Sequence, residues 1–178
     1  MSTLTCDNLL FRCPVIGDAE VLLKLKNNKT ASRLLGGSHG EYTIEEIVEW
    51  IHYHNNRQDE ILLVIEDTTN GRVIGHVGLY KIDRVSNKTE FGILIADDGY
   101  RGKGYGTKAT KLMVEYAFNT LGIHKVTAEV LNENAPSIAM FKRCGFTVDG
   151  CLRDDVFKNG RYYDVLTMSI LDTEYLSK

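Results

Sequence analysis

Apolar residues recur along this chain with two spacings, and the switching between them predicts its elements. Leu9 to Cys13, Ile61 to Glu66, Val73 to Ile82, Lys88 to Ile95 and Lys125 to Leu131 are short apolar or alternating runs, the pattern of strands. Ala109, Leu112, Met113, Tyr116 and Ala117 instead fall at i, i+3, i+4, i+7 and i+8, the stripe of a helix lying on a sheet, and Gly122 stops it. Asp18 can cap a helix running to about Asn27, with Ala19, Leu22, Leu23 and Leu25 apolar, and Lys29 to Tyr42, with Gly36, Gly37 and Gly40, reads as a loop. Thr43-Ile44-Glu45-Glu46 is a capping box, followed by Ile44, Ile47, Val48 and Ile51 on one helical face. His52 and His54 lie two apart on that helix, point to different sides and read as surface residues. Asn134 can cap a further helix with Pro136 in its first turn. Thr68-Thr69-Asn70-Gly71 and Asn159-Gly160 have hairpin chemistry, the second turning a final pair from about Thr147–Phe157 to Tyr162–Leu171. Four strands, then helix, strand, helix and two strands, give a mixed α/β sheet.

The length of 178 residues fits a single domain, 1–178, with no repeat, linker or low-complexity segment. The net charge of −3 provides no basic field to collect phosphates, which argues against nucleic acid as a partner and is compatible with a cationic one. The start, Met1 to Cys6, lacks the charged and apolar segments of a signal peptide, and no apolar run approaches the length of a membrane span. Cys6, Cys13, Cys144 and Cys151 form no metal-binding spacing and read as thiols of a reducing compartment. A cytoplasmic protein with no metal is expected.

The candidate chemistry begins at Tyr100-Arg101-Gly102-Lys103-Gly104-Tyr105-Gly106-Thr107, between a strand and the long helix. Three glycines in five residues bring backbone N–H groups together at a helix N-terminus, where about half a positive charge accumulates. Such a turn receives an anion, usually phosphate, and Arg101 and Lys103 add charge at its rim. The glycines do not fit the G-x-G-x-x-G dinucleotide fingerprint, and no P-loop string occurs.

Arg101-Gly102-Lys103-Gly104-Tyr105-Gly106 does fit R/Q-x-x-G-x-G/A, and the chain resembles the GNAT superfamily of N-acetyltransferases. Asn134-Ala135-Pro136-Ser137 followed by Phe141-Lys142-Arg143-Cys144-Gly145-Phe146 is similar to that family's second motif. The tail from Gly150-Cys151-Leu152 through Asn159-Gly160-Arg161-Tyr162-Tyr163-Asp164-Val165 resembles the branch of spermidine N-acetyltransferases and RimJ/RimL ribosomal-protein acetyltransferases. The resemblance implies a mixed, largely antiparallel sheet of about seven strands, splayed between strands four and five, with about four helices. It implies acetyl-CoA as co-substrate in the gap, its pantetheine arm on the backbone of Leu94, Ile95 and Ala96 and on Asn134, and its pyrophosphate on Arg101 to Thr107, that is Arg101, Gly102, Lys103, Gly104, Tyr105, Gly106 and Thr107.

Acetyl transfer to an amine requires loss of a proton from the attacking nitrogen, polarisation of the carbonyl and stabilisation of the departing thiolate. The resemblance assigns the first task to Glu90, with Asp164 behind it. Phe141 stands where many relatives have a tyrosine that hydrogen-bonds the sulfur, which leaves that role to Ser137 or to backbone N–H groups. Glu46 and Glu49 are expected to border the entrance for a cationic acceptor. The implied reaction is direct attack in a ternary complex by a polyamine or other small amine. The alternatives are RimJ/RimL-type acetylation of a protein N-terminus and a non-catalytic acyl-CoA-binding module. A homodimer or larger homo-oligomer is expected.

Overall fold

The computed structural model describes residues 3–36, 41–97 and 99–176. Eight strands lie in one sheet: β1 (Leu4–Cys6), β2 (Leu9–Arg12), β3 (Ile61–Asp67), β4 (Arg72–Asp83), β5 (Lys88–Ile95), β6 (Lys125–Leu131), β7 (Thr147–Lys158) and β8 (Arg161–Leu171). Their order is β1-β2-β3-β4-β5-β6-β8-β7, antiparallel throughout except for β5 beside β6. The helices are α1 (Ala19–Lys26), α2 (Lys29–Leu34), α3 (Ile44–Asn55), α4 (Tyr105–Glu115), α5 (Ala135–Arg143) and α6 (Asp172–Leu176).

Because side chains alternate along a strand, each face of the sheet gathers its own core. Leu22 and Leu25 of α1 and Ile47 and Ile51 of α3 bury against Val64, Val73 and Leu94 on one face. Met113, Val114 and Ala117 bury against Leu63, Val77, Leu79 and Val126 on the other. The helical stripe read from the sequence is this second contact. The helix opens at Tyr105, immediately after Gly104, and widens into a π turn at Tyr116–Thr120, where the Leu121 N–H reaches back to the Tyr116 carbonyl at 3.1 Å. Gly122, at φ 63°, ends it.

The sheet has one strand more than expected. β1 pairs with β2, Leu4 opposite Phe11, and at three residues it is too short to show a period. Strands four and five of the sequence reading are therefore β5 and β6. There are also six helices among the described residues, not about four. Part of the expected loop after α1 is helical: Asn28 caps α2, its Oδ1 accepting from the Ala31 N–H at 2.9 Å. Only Ala31 of that helix is buried, so no apolar period announces it. Residues 37–40 of the same expected loop lie outside the described residues. Asp18 stands at the N-cap of α1 as expected, but its side chain makes no cap bond to that helix; a short 3-10 turn, Ile16–Asp18, precedes it. The Asp18 carboxylate accepts from both terminal guanidinium nitrogens of Arg12 at 2.8 Å and from the Val15 N–H at 2.8 Å. His52 is exposed as expected, but His54 is half-buried and bonds Glu60, because the end of α3 packs down on the start of β3.

Candidate active site

β5 and β6 run side by side only at their beginnings. Lys88, Thr89 and Glu90 pair with Lys125, Val126 and Thr127, and there the parallel ladder stops. β6 continues along β8 to Leu131, and β5 continues along β4 to Ile95. Among the described residues no strand pairs with the open edge of β5 from Phe91 to Ile95. The divergence opens a cavity of about 230 Å³. Its walls are Ile93, Leu94 and Ile95 of β5, Ala31 and Leu34 of α2, the turn before α4, and Pro136, Ser137 and Met140 of α5.

Two helix N-termini face this cavity. Gly104 is the N-cap of α4 at φ 86°, a left-handed backbone that carries no side-chain cap, and Gly102 is also left-handed at φ 73°. The first internal bond of α4 is from the Lys108 N–H to the Gly104 carbonyl, so the N–H groups of Tyr105, Gly106 and Thr107 have no partner within the helix, and all three residues line the cavity. A Cβ on Gly106 would lie 3.0 Å from Met140 Sδ, so a glycine there lets α4 start hard against α5. The second N-terminus belongs to α5, capped by Asn134, whose Oδ1 accepts from the Ser137 N–H at 3.2 Å. Two dipole ends, with Arg101 and Arg143 also in the lining, make this an anion-receiving cavity beside an open strand edge.

The turn before α4 is held from outside. The Tyr100 hydroxyl donates to Asp67 Oδ2 at 2.8 Å and accepts from Asn70 Nδ2 at 2.7 Å, and Arg72 bonds Asp97 at 2.8 Å. Hydrogen bonds from Thr69, together with those from Tyr100 and Asn8, hold the Asp67 carboxyl down at about 2. Tyr100→Phe removes both bonds of that hydroxyl and leaves the Thr69 and Asn8 bonds to Asp67 in place. An ordinary hydrogen bond is worth about 1 kcal/mol, so the affinity for CoA in calorimetry is expected to fall at least about fivefold and the melting temperature by about 2–4 °C for each bond lost.

The residues singled out from the sequence distribute as follows. Leu94, Ile95, Arg101, Gly102, Gly104, Tyr105, Gly106, Thr107, Asn134 and Ser137 converge on the cavity. Lys103 is exposed at its margin, outside the lining. Ala96 is buried behind Leu94, its carbonyl taken by Asn28 Nδ2 at 3.0 Å. Asn134 is nearly fully enclosed, and its Nδ2 donates to the Leu34 carbonyl at 2.9 Å, tying α5 to the end of α2. Phe141 sits in the core, edge-on to Phe91 and against Phe146, while its neighbour Met140 lines the cavity. Glu90 is not in the lining of this cavity; Lys81 Nζ holds its carboxylate at 2.7 Å on the sheet face shared with Gly92. Glu46 closes its capping box on the Thr43 N–H at 2.8 Å, and Glu49 is exposed; neither is in the lining of this cavity. Asp164 accepts from the Asp154 N–H at 3.0 Å, in the final hairpin. Arg143 was not singled out, although Pro136, Met140 and Arg143 lie at i, i+4 and i+7, one helical face.

A second cavity, of about 220 Å³, adjoins the first through Leu35, Ile93 and Leu94. It lies where Gly78 and Gly92 face each other across β4 and β5 and leave the sheet without side chains. The Tyr80 ring lies across that bare patch: a Cβ on Gly78 would come 2.5 Å from its Cζ. Lys26, Tyr42 and His76 complete the wall.

Known proteins share this fold. The family model described as Acetyltransferase (GNAT) domain matches residues 8–147. A spermidine N(1)-acetyltransferase of Vibrio cholerae is 32% identical over 162 residues, 91% of this chain and 92% of that protein. The crystal structure of spermidine N-acetyltransferase from Vibrio cholerae in complex with CoA and spermine superposes with a TM-score of 0.88 at 30% identity, covering 96% of this chain and 99% of that one. A dodecameric structure of spermidine N-acetyltransferase from the same organism superposes with a TM-score of 0.81 at 30% identity, over 96% of this chain and 98% of that one.

Proposed function

The chain belongs to the GNAT acetyltransferase family and is an N-acetyltransferase, and on that premise we propose that the divergence of β5 and β6 holds acetyl-CoA while a small primary amine enters by the adjoining cavity. The observation that carries this reading is the meeting of two helix N-termini at an open strand edge. The phosphates would sit on the N–H groups that begin α4, and the pantetheine amides would extend the ladder along the edge of Leu94 and Ile95 that faces away from β4, where no strand pairs among the described residues. The N-terminus of α5 faces the same space, where charge develops on the thioester oxygen and sulfur.

Ser137 is the hydroxyl in the lining of this cavity on α5, and it serves the departing sulfur. A thiol titrates near pH 8.5, so one hydroxyl and a helix dipole suffice for it. Glu90 receives the amine proton through water: it is the cross-strand partner of Tyr80, which lines the acceptor cavity, and it shares a sheet face with Gly92. Phe141 supports the ring stack beneath. Glu90→Gln is expected to lower kcat about a hundredfold and Ser137→Ala about tenfold in a thiol-release assay, with CoA affinity unchanged in calorimetry. Wild-type turnover in both variants would remove these roles.

Among acceptors, a polyamine is the one the relatives' substrates support. A homo-oligomer is supported by the dodecameric relative and by exposed Leu152, Phe157 and Tyr162 on the β7–β8 hairpin. Four free cysteines, one of them exposed, support a reducing, cytoplasmic setting. Among the described residues no helix is long and apolar enough to cross a membrane.

A further inference from the structure

We infer that the second cavity selects an amine that also carries a carboxylate, with Lys26 as the counter-charge and His76 as a hydrogen-bond donor beside it. The inference rests on the transferase reading and puts a carboxylate-bearing amine in place of the relatives' polyamine as its acceptor.

Lys26 closes the last turn of α1. Its ammonium lies 4.2 Å from the centre of the Trp50 ring and 5.0 Å from that of Tyr42, and among the described residues it has no hydrogen-bond or ion-pair partner. Burial pulls it down to about 8, so it is still largely charged at pH 7. A half-buried cation held only by aromatic faces is an incomplete site: rings attract it but do not neutralise it.

His76 is the second incomplete group. It stands on β4 opposite Leu94, edge-on to Trp50, and both of its ring nitrogens are buried without a partner among the described residues. Burial, with Lys26 and His54 nearby, lowers it to about 3, so the ring is neutral and holds one N–H to donate. Buried polar atoms in native proteins are nearly always paired, and an orphaned imidazole N–H beside an ammonium with no partner among the described residues points to a ligand group that accepts from both. An ammonium and an N–H are complementary to a carboxylate.

Among the described residues the lining has no carboxylate to pair with a second cation. Glu60 is near Tyr80, but His54 and Arg57 already engage it. Glu90 is engaged by Lys81. A polyamine would bring its remaining ammonium groups toward Lys26. The cavity's size suits a small molecule, and its shared wall at Ile93 and Leu94 leads toward the open edge of β5, where the amine would meet the thioester.

The test compares amines that differ only in the carboxylate: lysine against pentane-1,5-diamine, and 4-aminobutyrate against butylamine, with spermidine alongside. In a thiol-release assay kcat/KM is expected to be at least about tenfold higher for the carboxylate member of each pair. Lys26→Met should bring that ratio to about one while CoA affinity and the melting temperature stay near wild type. Where turnover is too slow to read, calorimetric titration of 4-aminobutyrate into CoA-saturated protein should show binding that Lys26→Met weakens about tenfold. Equal or faster turnover of the plain amines, a preference that survives Lys26→Met, or no binding of 4-aminobutyrate would each overturn the inference. Spermidine turnover with the carboxylate amines silent would uphold the transferase and sink the carboxylate site. Failure to bind CoA would instead count against the transferase reading itself.

Discussion

Gly104→Val is expected to lower CoA affinity at least about a hundredfold while the chain still folds. The cause is not a clash with the rest of the protein, since a Cβ at Gly104 would meet nothing within 4 Å. It is the backbone: Gly104 caps α4 at φ 86° and ψ −5°, a conformation that a β-branched residue enters only at a cost of about 1–2 kcal/mol. The chain escapes that cost by rotating φ to negative values, which turns away the N–H groups of Tyr105, Gly106 and Thr107. A valine side chain would also stand in the open concavity that the phosphates need. Hydrogen bonds to a charged group are worth about 1.5–3 kcal/mol each, so losing two is about 3 kcal/mol or more, a hundredfold or greater. Calorimetry with CoA reads the loss. Gly122→Val is the control, with the same left-handed strain at φ 63° at the far end of the helical segment, where only stability should suffer. Unchanged affinity in a folded Gly104→Val protein would move the phosphates elsewhere.

What the sequence disclosed and what it concealed follow from the same physics. The helix after the glycine turn is legible because one of its faces is buried, and burial enforces a period: Ala109, Met113 and Ala117 are fully enclosed. The turn itself is legible because a left-handed backbone narrows the choice of residue at 102 and 104. α2 leaves no such trace; its position depends on Asn28, which caps it and also holds the Ala96 carbonyl across 68 residues of sequence. The first cavity could be anticipated because most of its lining comes from two continuous stretches, 93–107 and 134–143. The second could not. Lys26, Tyr42, His76 and Gly92 come from four separate segments, and Gly78 and Gly92 read as unremarkable strand glycines until the register sets them opposite one another. Glu46 and Glu49 show the converse: a helix rich in acids suggested a cationic acceptor, yet one acid closes a capping box and the other is exposed.

Gly75→Ala should cost more stability than any other single-methyl addition to this sheet. Gly75 of β4 faces Ile95 of β5, and a Cβ built there would lie 2.0 Å from the Leu94 carbonyl oxygen and 3.1 Å from the Ile95 Cα. No rotamer relieves that contact, because the Cβ is fixed by the backbone and so is the atom it meets. The strands must part, and overpacking of that kind costs about 3 kcal/mol. For a chain of this size the melting temperature should drop by about 6–12 °C. The damage would fall on the site, since Leu94 lines both cavities and Ile95 the first. Pushing the Leu94 carbonyl aside displaces the strand edge proposed to carry the pantetheine arm, so KM for acetyl-CoA should rise about tenfold, an expected loss of one or two hydrogen bonds, even well below the melting transition. Gly78→Ala separates the two effects. There the obstacle is the Tyr80 ring at 2.5 Å, a side chain that can turn away, so stability and KM for acetyl-CoA should hold while KM for the amine changes. Melting curves and paired KM measurements decide it. A Gly75→Ala protein that melts with the wild type would show that β4 and β5 can separate without cost, and that the close approach of these two strands does not set the geometry of the cleft.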